Sequence, residues 1–127
     1  MPARNVAAQE LSKLMGVFSH AQRISIVEEL QNGELDVNTL SQRLESSHSR
    51  VSQQLGLLRT HRLVAERREG RHVYYRLTQP KIARWLMGGL DFLEGELDRG
   101  AARKDLLEEA RHLWTADGKQ RKRPRGS

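Results

Sequence analysis

The spacing of apolar residues along the chain predicts a series of short amphipathic helices. Apolar side chains recur three and four positions apart over residues 5–18 and again over residues 21–31, which is the period of an α-helix with one buried face. Asn32 and Gly33 are expected to end the second of these helices, since glycine readily adopts the left-handed conformation that follows a helix C-terminus. Asp36 is a good N-cap, so a third and shorter helix is expected to begin there.

A fourth helix is expected after Ser47, whose hydroxyl can cap it, and the two faces of this helix differ in character. Val51, Leu55 and Leu58 form an apolar stripe that would hold the helix against a core. At about 100° per residue, the opposite face carries small, amide and flanking polar side chains instead. These outward positions are Ser49, Arg50, Ser52, Gln53, Gly56 and Thr60. Such a face allows a helix to approach the edges of bases in a DNA major groove.

The hydrophobic period shortens to about two residues after the fourth helix. Apolar and polar residues alternate over residues 72–77, and a short apolar run at residues 63–65 precedes them, so the two runs predict a β-hairpin. Glu69 and Gly70 are expected to form its tight turn. The tip is rich in arginine and contains Arg67, Arg68 and Arg71. Arginines in this position are suited to backbone phosphates or to a narrow minor groove.

The last third of the chain predicts a fifth helix and a helical extension. Thr78 is expected to cap the fifth helix and Pro80 to lie in its first turn. An apolar ladder follows, made of Ile82, Leu86, Leu90, Leu93 and Leu97 with Trp85 and Phe92 beside it. The helical period then breaks and resumes, either as a sixth helix or as a bent continuation of the fifth. We therefore expect a principal domain over residues 1–99, a helical extension over 100–116 and a basic, disordered tail over 117–127.

Composition narrows the classes of function. The chain has 127 residues, enough for about one hydrophobic core. It contains no cysteine, which excludes disulfides, thiolate metal ligands and thiol-based catalysis or redox sensing. No run of about 18 apolar residues is present, so neither a transmembrane helix nor a membrane partner is expected. The N-terminal residues lack the apolar core of a secretory signal, which predicts a cytoplasmic protein.

The positive charge is concentrated in two segments. The chain carries a net charge of +6. Residues 59–76 hold six arginines against two glutamates, and residues 117–127 hold five basic residues against one acid. Residues 84–116, in contrast, hold seven acidic and five basic residues. Two basic segments separated by a mildly acidic one indicate a polyanionic partner, and double-stranded DNA is the first candidate.

Together, the short helices, the capped fourth helix and the basic hairpin predict a mainly α-helical winged helix-turn-helix fold in which the hairpin is the wing. The fourth helix would read base edges, and the wing would contact the DNA backbone or the minor groove. The candidate DNA-binding residues are His48, Ser49, Arg50, Ser52, Gln53, Arg67, Arg68 and Arg71. The expected function is therefore sequence-specific DNA binding.

Several stretches resemble the ArsR/SmtB family of bacterial winged-helix regulators. They are AQRISIV at residues 21–27, SHSRVSQQL at 47–55, the segment 57–64 and REGRHVYYRL at 68–77, and the whole match runs from about residue 17 to 97. The resemblance implies a homodimer that pairs through its first and fifth helices, and a repressor that leaves its operator when an effector binds. The residues expected at that interface are Leu11, Leu14, Ile82, Trp85, Leu86, Leu90 and Leu93.

The positions that carry metal ligands in this family hold other residues here. Where the family has Glu-Leu-Cys-Val-Cys in its third helix, this chain reads Glu34-Leu35-Asp36-Val37-Asn38, and the fifth-helix site falls on Gln79, Lys81, Phe92 and Gly95. We therefore expect neither metal site, and no cofactor. His112, with Glu108 and Glu109 nearby, could join a nickel or zinc site across a dimer, although a salt-bridged surface histidine is the simpler interpretation. The effector would be a small organic ligand, another protein or a modification, or there would be none.

Other interpretations stay open from the sequence. An enzyme is not expected, because no nucleophile, phosphate loop or ligand cluster stands out. The fourth-helix face could dock a protein partner instead, and the basic segments alone would make a non-specific, nucleoid-type DNA binder. Gly88 and Gly89 could permit a close helix crossing at a dimer interface or leave space for a ligand. The basic tail could be a DNA-tracking arm or only a solubilising end, and the choice of repressor over activator rests on the family alone.

Overall fold

The computed structural model describes residues 2–96 and 101–120, and within them lie six helices and three strands. The helices are α1 (Pro2–Val17), α2 (Ala21–Leu30), α3 (Val37–Arg43), α4 (His48–Thr60), α5 (Lys81–Glu96) and α6 (Ala101–Gln120), and the strands are β1 (Leu35–Asp36), β2 (Val64–Glu69) and β3 (His72–Leu77). The chain divides into two compact units, the first ending at Thr78 and the second beginning at Gln79. This division falls before α5, whereas the sequence placed the end of the principal domain at residue 99.

The core of the first unit lies where α2, α3 and α4 meet the sheet. Its fully buried side chains come from each of these elements and are Ile26, Val27, Leu30, Leu40, Val51, Leu55, Leu58 and Val64. The apolar stripe predicted for α4 is confirmed, because Val51, Leu55 and Leu58 are each 0% exposed. Burial of one such side chain stabilises a fold by about 1.5–3 kcal/mol. This stripe therefore fixes which face of α4 is turned to the core.

The predicted starts of α3 and α4 are confirmed by their caps. The Asp36 carboxylate accepts a hydrogen bond of 2.9 Å from the Thr39 amide, and the Ser47 hydroxyl oxygen accepts one of 3.1 Å from the Arg50 amide. Each cap satisfies an amide that a helix N-terminus leaves without an intrahelical partner. The turn between the two helices is tight, and Glu45 takes a φ of 51° there, a left-handed conformation that is uncommon for a residue with a side chain.

The sheet has three antiparallel strands in the order β1-β3-β2. The hairpin predicted from the alternating pattern is confirmed as β2 and β3. Its turn lies one residue later than predicted, because Glu69 still pairs with His72 and the turn is formed by Gly70, at a φ of 60°, and Arg71. Strand β1 was not predicted, since two residues are too few to show an alternating period.

The start of α5 differs in detail from the prediction. Thr78 does not cap the helix: its hydroxyl donates to the carbonyl oxygens of Arg62, at 2.7 Å, and Leu63, at 3.2 Å. The helix begins at Lys81, after Pro80 rather than with Pro80 inside its first turn. The threonine hydroxyl is thus used to join the end of the hairpin to the segment that follows α4.

The C-terminal extension forms the helix α6, which reaches further than predicted. It includes residues 117–120, which the sequence assigned to a disordered tail because they show no apolar period. Residues 121–127 of that tail lie outside the described residues. Within the second unit, the Arg111 guanidinium on α6 pairs with the carboxylates of Asp91 and Glu94 on α5. None of the described helices has the length and apolar character that crossing a membrane requires.

Candidate nucleic-acid interface

The outer face of α4 is polar and open to solvent. His48, Ser49, Arg50 and Gln53 are exposed, and Ser52 is half-buried. The structure thus brings together, over the first two turns of one helix, all five residues of α4 that the sequence proposed for DNA binding. The short side chains of Ser49 and Ser52 leave room for α4 to enter a major groove, where the amide of Gln53 can pair with adenine.

An ion pair withdrawn from solvent helps to fix the helices beneath this face. The Nη1 atom of Arg43 on α3 lies 3.1 Å from Oε2 of Glu29 on α2, and the two side chains are 9% and 7% exposed. Water screens a pair at this depth poorly, and loss of either partner would remove a charge–charge contact from a buried position. The pair therefore holds α3 against α2, and α4 packs on both of these helices.

Arg67 is held within the wing itself. Its Nη2 atom lies 2.5 Å from Glu34 and its Nη1 atom 2.6 Å from Glu69. Its guanidinium also lies over the ring of Tyr74, 4.7 Å from the centroid. The hydrogen bond from Arg67 lowers the pKa of Glu34, and the same bond raises the pKa of Arg67. Arg67 thus ties the wing to the segment before β1, and nearby carboxylates neutralise the charge that was proposed for DNA contact.

Arg68 and Arg71 are placed differently from Arg67. The Arg68 side chain is 75% exposed, and its Nε atom is 3.9 Å from the nearest paired carboxylate oxygen, on Glu66. Arg71 is exposed in the hairpin turn and forms no ion pair with a described residue. Because their donors remain largely hydrated, these two guanidinium groups can bind phosphate while giving up few contacts within the protein.

Glu66 connects the wing to the C-terminal end of α4. Its Oε1 atom lies 2.9 Å from Nη1 of Arg59, and its Oε2 atom accepts a hydrogen bond of 3.1 Å from the Tyr75 hydroxyl. Burial raises the pKa of Tyr75, and the bond to Glu66 raises it further. The sequence interpretation missed Glu66 and Tyr75 as residues that position the wing. The signal that could have found them is their direct cross-strand pairing, which requires the register of the hairpin.

A cleft of about 320 Å³ lies between the N-terminal half of α4 and the wing. Its lining includes the arginines Arg68 and Arg71, the histidines His48 and His72, and the carboxylates of Asp36 and Glu66. Asp36 lies 3.7 Å from Nδ1 of His72. Burial opposes ionisation of Asp36, but the hydrogen bonds from Thr39 and the nearby His72 outweigh it and lower the pKa of this carboxyl. Both carboxylates are engaged by neighbouring donors, so the charge left at this edge of α4 is positive.

The residues proposed for dimerisation differ in exposure. Those exposed are Leu11, Trp85 and Leu93, and those half-buried are Leu14, Ile82, Leu86 and Leu90. Phe92 was left out of that set, yet its side chain is 67% exposed, the largest value among the exposed large hydrophobic residues that the structure describes. The sequence pattern placed Phe92 beside the apolar ladder, but periodicity alone does not show how far each side chain is exposed.

The fold and this surface define a winged helix-turn-helix DNA-binding transcriptional regulator. A sequence model described as bacterial regulatory proteins of the arsR family matches residues 20–66, which contain α2, α3 and α4. The chain is 36% identical over 84 residues to the biofilm growth-associated repressor of Agrobacterium fabrum, a match that covers 66% of this chain and 72% of that protein. The chain belongs to the ArsR family, which confirms the resemblance inferred from its sequence.

Two further relatives agree with this assignment. The crystal structure of the transcriptional repressor BigR from Xylella fastidiosa matches with a TM-score of 0.61 and 32% identity, over 76% of this chain and 95% of that one. The transcriptional activator HlyU of Vibrio cholerae is 38% identical over 69 residues, covering 54% of this chain and 64% of that protein. Both a repressor and an activator are thus similar to this chain.

Proposed function

We propose that the protein is a homodimeric repressor that reads its operator with α4 and leaves DNA when it binds an effector that is neither a thiol reagent nor a metal ion. The observation that carries this proposal is the outward polar face of α4, oriented by a fully buried stripe and flanked by exposed arginines of the wing. In this scheme Gln53 reads a base, while Arg68 and Arg71 bind backbone phosphates. The remaining α4 residues, His48, Ser49, Arg50 and Ser52, line the same face.

One face of α5 supports pairing with a second copy of the chain. Its exposed residues are Lys81, Trp85, Gly88, Gly89, Phe92 and Glu96. They are symmetric about the middle of the helix, since a basic and an aromatic residue precede the glycines and an aromatic and an acidic residue follow them. In an antiparallel crossing centred on the glycines, Trp85 of one copy meets Phe92 of the other. In the same crossing, Lys81 of one copy meets Glu96 of the other, so two-fold symmetry brings together opposite charges as well as aromatic rings.

The two glycines leave room for this crossing. A Cβ atom added at Gly88 or Gly89 would meet nothing within 4 Å, so the packing of the described chain does not require either glycine. Glycine inside a helix costs about 1 kcal/mol relative to alanine. Close approach of a second helix would offset that cost through additional van der Waals contacts. On α1, Leu11 and Met15, 49% and 57% exposed, offer a further apolar surface to the partner.

The residues at the family's metal positions support an effector of another kind. Asp36, where the family pattern has cysteine, is committed to the cap of α3 and to His72. Lys81 and Phe92 occupy two positions of the fifth-helix site and are not zinc ligands. The chain contains no cysteine, so an effector that acts by reacting with a thiol is excluded as well. A small organic molecule, a protein or a modification is the class of effector that remains.

Fluorescence anisotropy with two duplexes tests this proposal. An operator selected from a random duplex library would be compared with a scrambled duplex at two salt concentrations, with and without zinc or nickel. We expect a preference for the operator of about 10³ or more that neither metal changes. Equal binding of both duplexes that collapses with salt would indicate a non-specific DNA binder instead.

Transcription in vitro distinguishes repression from activation. A promoter that contains the selected operator would be transcribed with increasing amounts of the protein. We expect the amount of transcript to fall as the operator fills. A rise in transcript would contradict repression, although it would leave DNA reading by α4 intact.

A further inference from the structure

The side chain of Arg23 joins three helices of the first unit. Its Nε atom donates a hydrogen bond of 2.8 Å to Oε1 of Gln54 on α4, and its Nη1 atom donates one of 2.9 Å to the carbonyl oxygen of Val17, the last residue of α1. Both acceptor residues are withdrawn from solvent, since Gln54 is 7% and Val17 5% exposed. One planar group at the start of α2 thus contacts the end of α1 and the middle of α4 at the same time.

The chemistry of this junction requires arginine. The donors of a guanidinium are fixed in one plane and point in different directions, so two bonds from it constrain the angle between their acceptors as well as the distance. A lysine has a single nitrogen on a flexible stem and cannot reproduce that geometry. The carbonyl of Val17 has no intrahelical donor, because it belongs to the last turn of α1, and the helix dipole favours a cation there.

We infer that Arg23 is a positioning residue that sets the orientation of α4 relative to α1 and thereby fixes the spacing of the two reading helices in the dimer. This inference rests on the proposed homodimer, in which α1 contributes to the interface. Gln54 follows Gln53 directly, and successive helical residues point about 100° apart. Arg23 therefore bonds the buried Gln54 in the same helical turn of α4 that carries Gln53, the residue proposed to read a base, on its exposed side.

The geometry of the operator makes this role measurable. Dimeric helix-turn-helix proteins bind two half-sites about one DNA turn apart, and the distance between their reading helices sets the spacing that they accept. If Arg23 fixes the angle between α1 and α4, its loss makes the dimer tolerant of other spacings. A side chain that merely stabilised the fold would lower stability without changing the preferred spacing.

The experiment measures spacing preference as well as affinity. Operators selected with the wild-type protein would be lengthened or shortened by two base pairs between their half-sites, and dissociation constants would be measured by anisotropy. We expect the wild type, and the exposed control Arg4→Met, to lose at least about tenfold in affinity on the altered duplexes. Arg23→Met and Gln54→Met should bind the original duplex more weakly and lose less than about twofold when its spacing changes. Arg23→Lys, which can keep one of the two bonds, should fall between.

The outcomes separate this inference from the proposed function. Arg23→Met protein that melts at a lower temperature but keeps the wild-type spacing ratio would overturn the inference. Should that variant fail to fold, Gln54→Met and Arg23→Lys decide the question by the same ratio. A wild type that prefers its operator but accepts every spacing would also overturn the inference alone. A wild type that does not distinguish operator from random duplex would contradict the proposed function itself.

Discussion

The two compact units of the chain bury their apolar residues to very different extents. In the first unit, α2, α3, α4 and the sheet enclose a core in which several side chains have no exposed surface. In the second, over residues 79–96 and 105–115, Ala83 is the only buried side chain, while Phe92, Leu106 and Leu113 are 67%, 65% and 56% exposed. Burial this small contributes little against the entropy lost in ordering two helices. Pairing with a second copy of the chain, as proposed above, would bury more of these side chains.

This difference suits the two units to different roles, DNA binding in the first and pairing with a second copy in the second. The closed core holds α4 and the wing in a fixed arrangement, which a reader of DNA sequence requires. The open surface of α5 is available to a second copy, which would double the number of reading helices. Substitutions in the first unit should therefore change the free energy of unfolding. Substitutions on the exposed face of α5 should change the dissociation constant of the dimer, and with it the dependence of stability on protein concentration.

The largest expected effect is loss of core packing in the first unit. Leu55→Ala should lower the free energy of unfolding by about 2–5 kcal/mol, because the cavity adds to the lost burial of a side chain that is 0% exposed. Urea denaturation at fixed protein concentration would measure this change. Leu57, 39% exposed on the same helix, provides the matched control, and Leu57→Ala should cost less than about 1 kcal/mol. Equal losses for both variants would contradict the assignment of the two faces of α4.

The next effect is on dimerisation. Phe92→Ala should weaken self-association by about 2 kcal/mol or more, roughly a 30-fold rise in the dissociation constant of the dimer, because each interface loses two aromatic rings. Sedimentation equilibrium would measure it. Leu113→Ala removes a comparably exposed apolar side chain from α6 and should leave the constant unchanged. If the two variants dissociate equally, the proposed α5 interface is wrong.

A smaller effect, dependent on pH, is expected at the start of α3. Asp36→Ala should cost about 1 kcal/mol at neutral pH, since it removes the cap on the Thr39 amide. The pKa of Asp36 is lowered in the folded protein, so its contribution is present above the ordinary aspartate value and is lost as the pH falls through the folded value. Urea denaturation from neutral pH to below about pH 4 should show the two proteins converging. A constant difference across that range would exclude the charged cap, and the exposed neighbour Asn38→Ala serves as control.

The smallest effect tests the direction in which two α5 helices cross. Lys81→Glu and Glu96→Lys should each weaken the dimer by about 0.2–1 kcal/mol, the usual range for exposed charge pairs. The double variant restores the pairing of opposite charges and should recover the wild-type dissociation constant. The difference in dissociation constant between the double variant and the single variants should become smaller at high salt, because salt screens exposed charges. A double variant weaker than either single one would contradict the antiparallel arrangement.

Local signals explain why the caps and the buried face of α4 could be predicted from the sequence. The caps at Asp36 and Ser47 and the stripe of Val51, Leu55 and Leu58 each depend on residues within one or two helical turns. Such patterns are visible in the chain without any knowledge of its tertiary contacts. The family resemblance added the pairing through the first and fifth helices and the regulatory function, which no spacing of residues contains.

Contacts between distant residues could not be predicted in the same way. Arg67 pairs with Glu34 across 33 positions, and Arg23 bonds Gln54 across 31. The sequence offered Arg67 for DNA contact from its place at the charged tip, and its ion pairs with Glu34 and Glu69 could not be seen there. Strand β1 was missed for a related reason, since its two residues are extended only because β3 lies beside them.

The most direct test of the account is to measure binding of Gln53→Ala to the operator and to random duplex in parallel. If the outer face of α4 reads base sequence, this variant loses about 1–3 kcal/mol on the operator and almost nothing on random DNA. Arg71→Ala, as the comparison, should weaken both complexes. It should also reduce the slope of log affinity against log salt concentration by about one, the contribution of one phosphate contact. Equal losses of Gln53→Ala on both duplexes would contradict the central claim, because α4 would then contribute affinity without reading sequence.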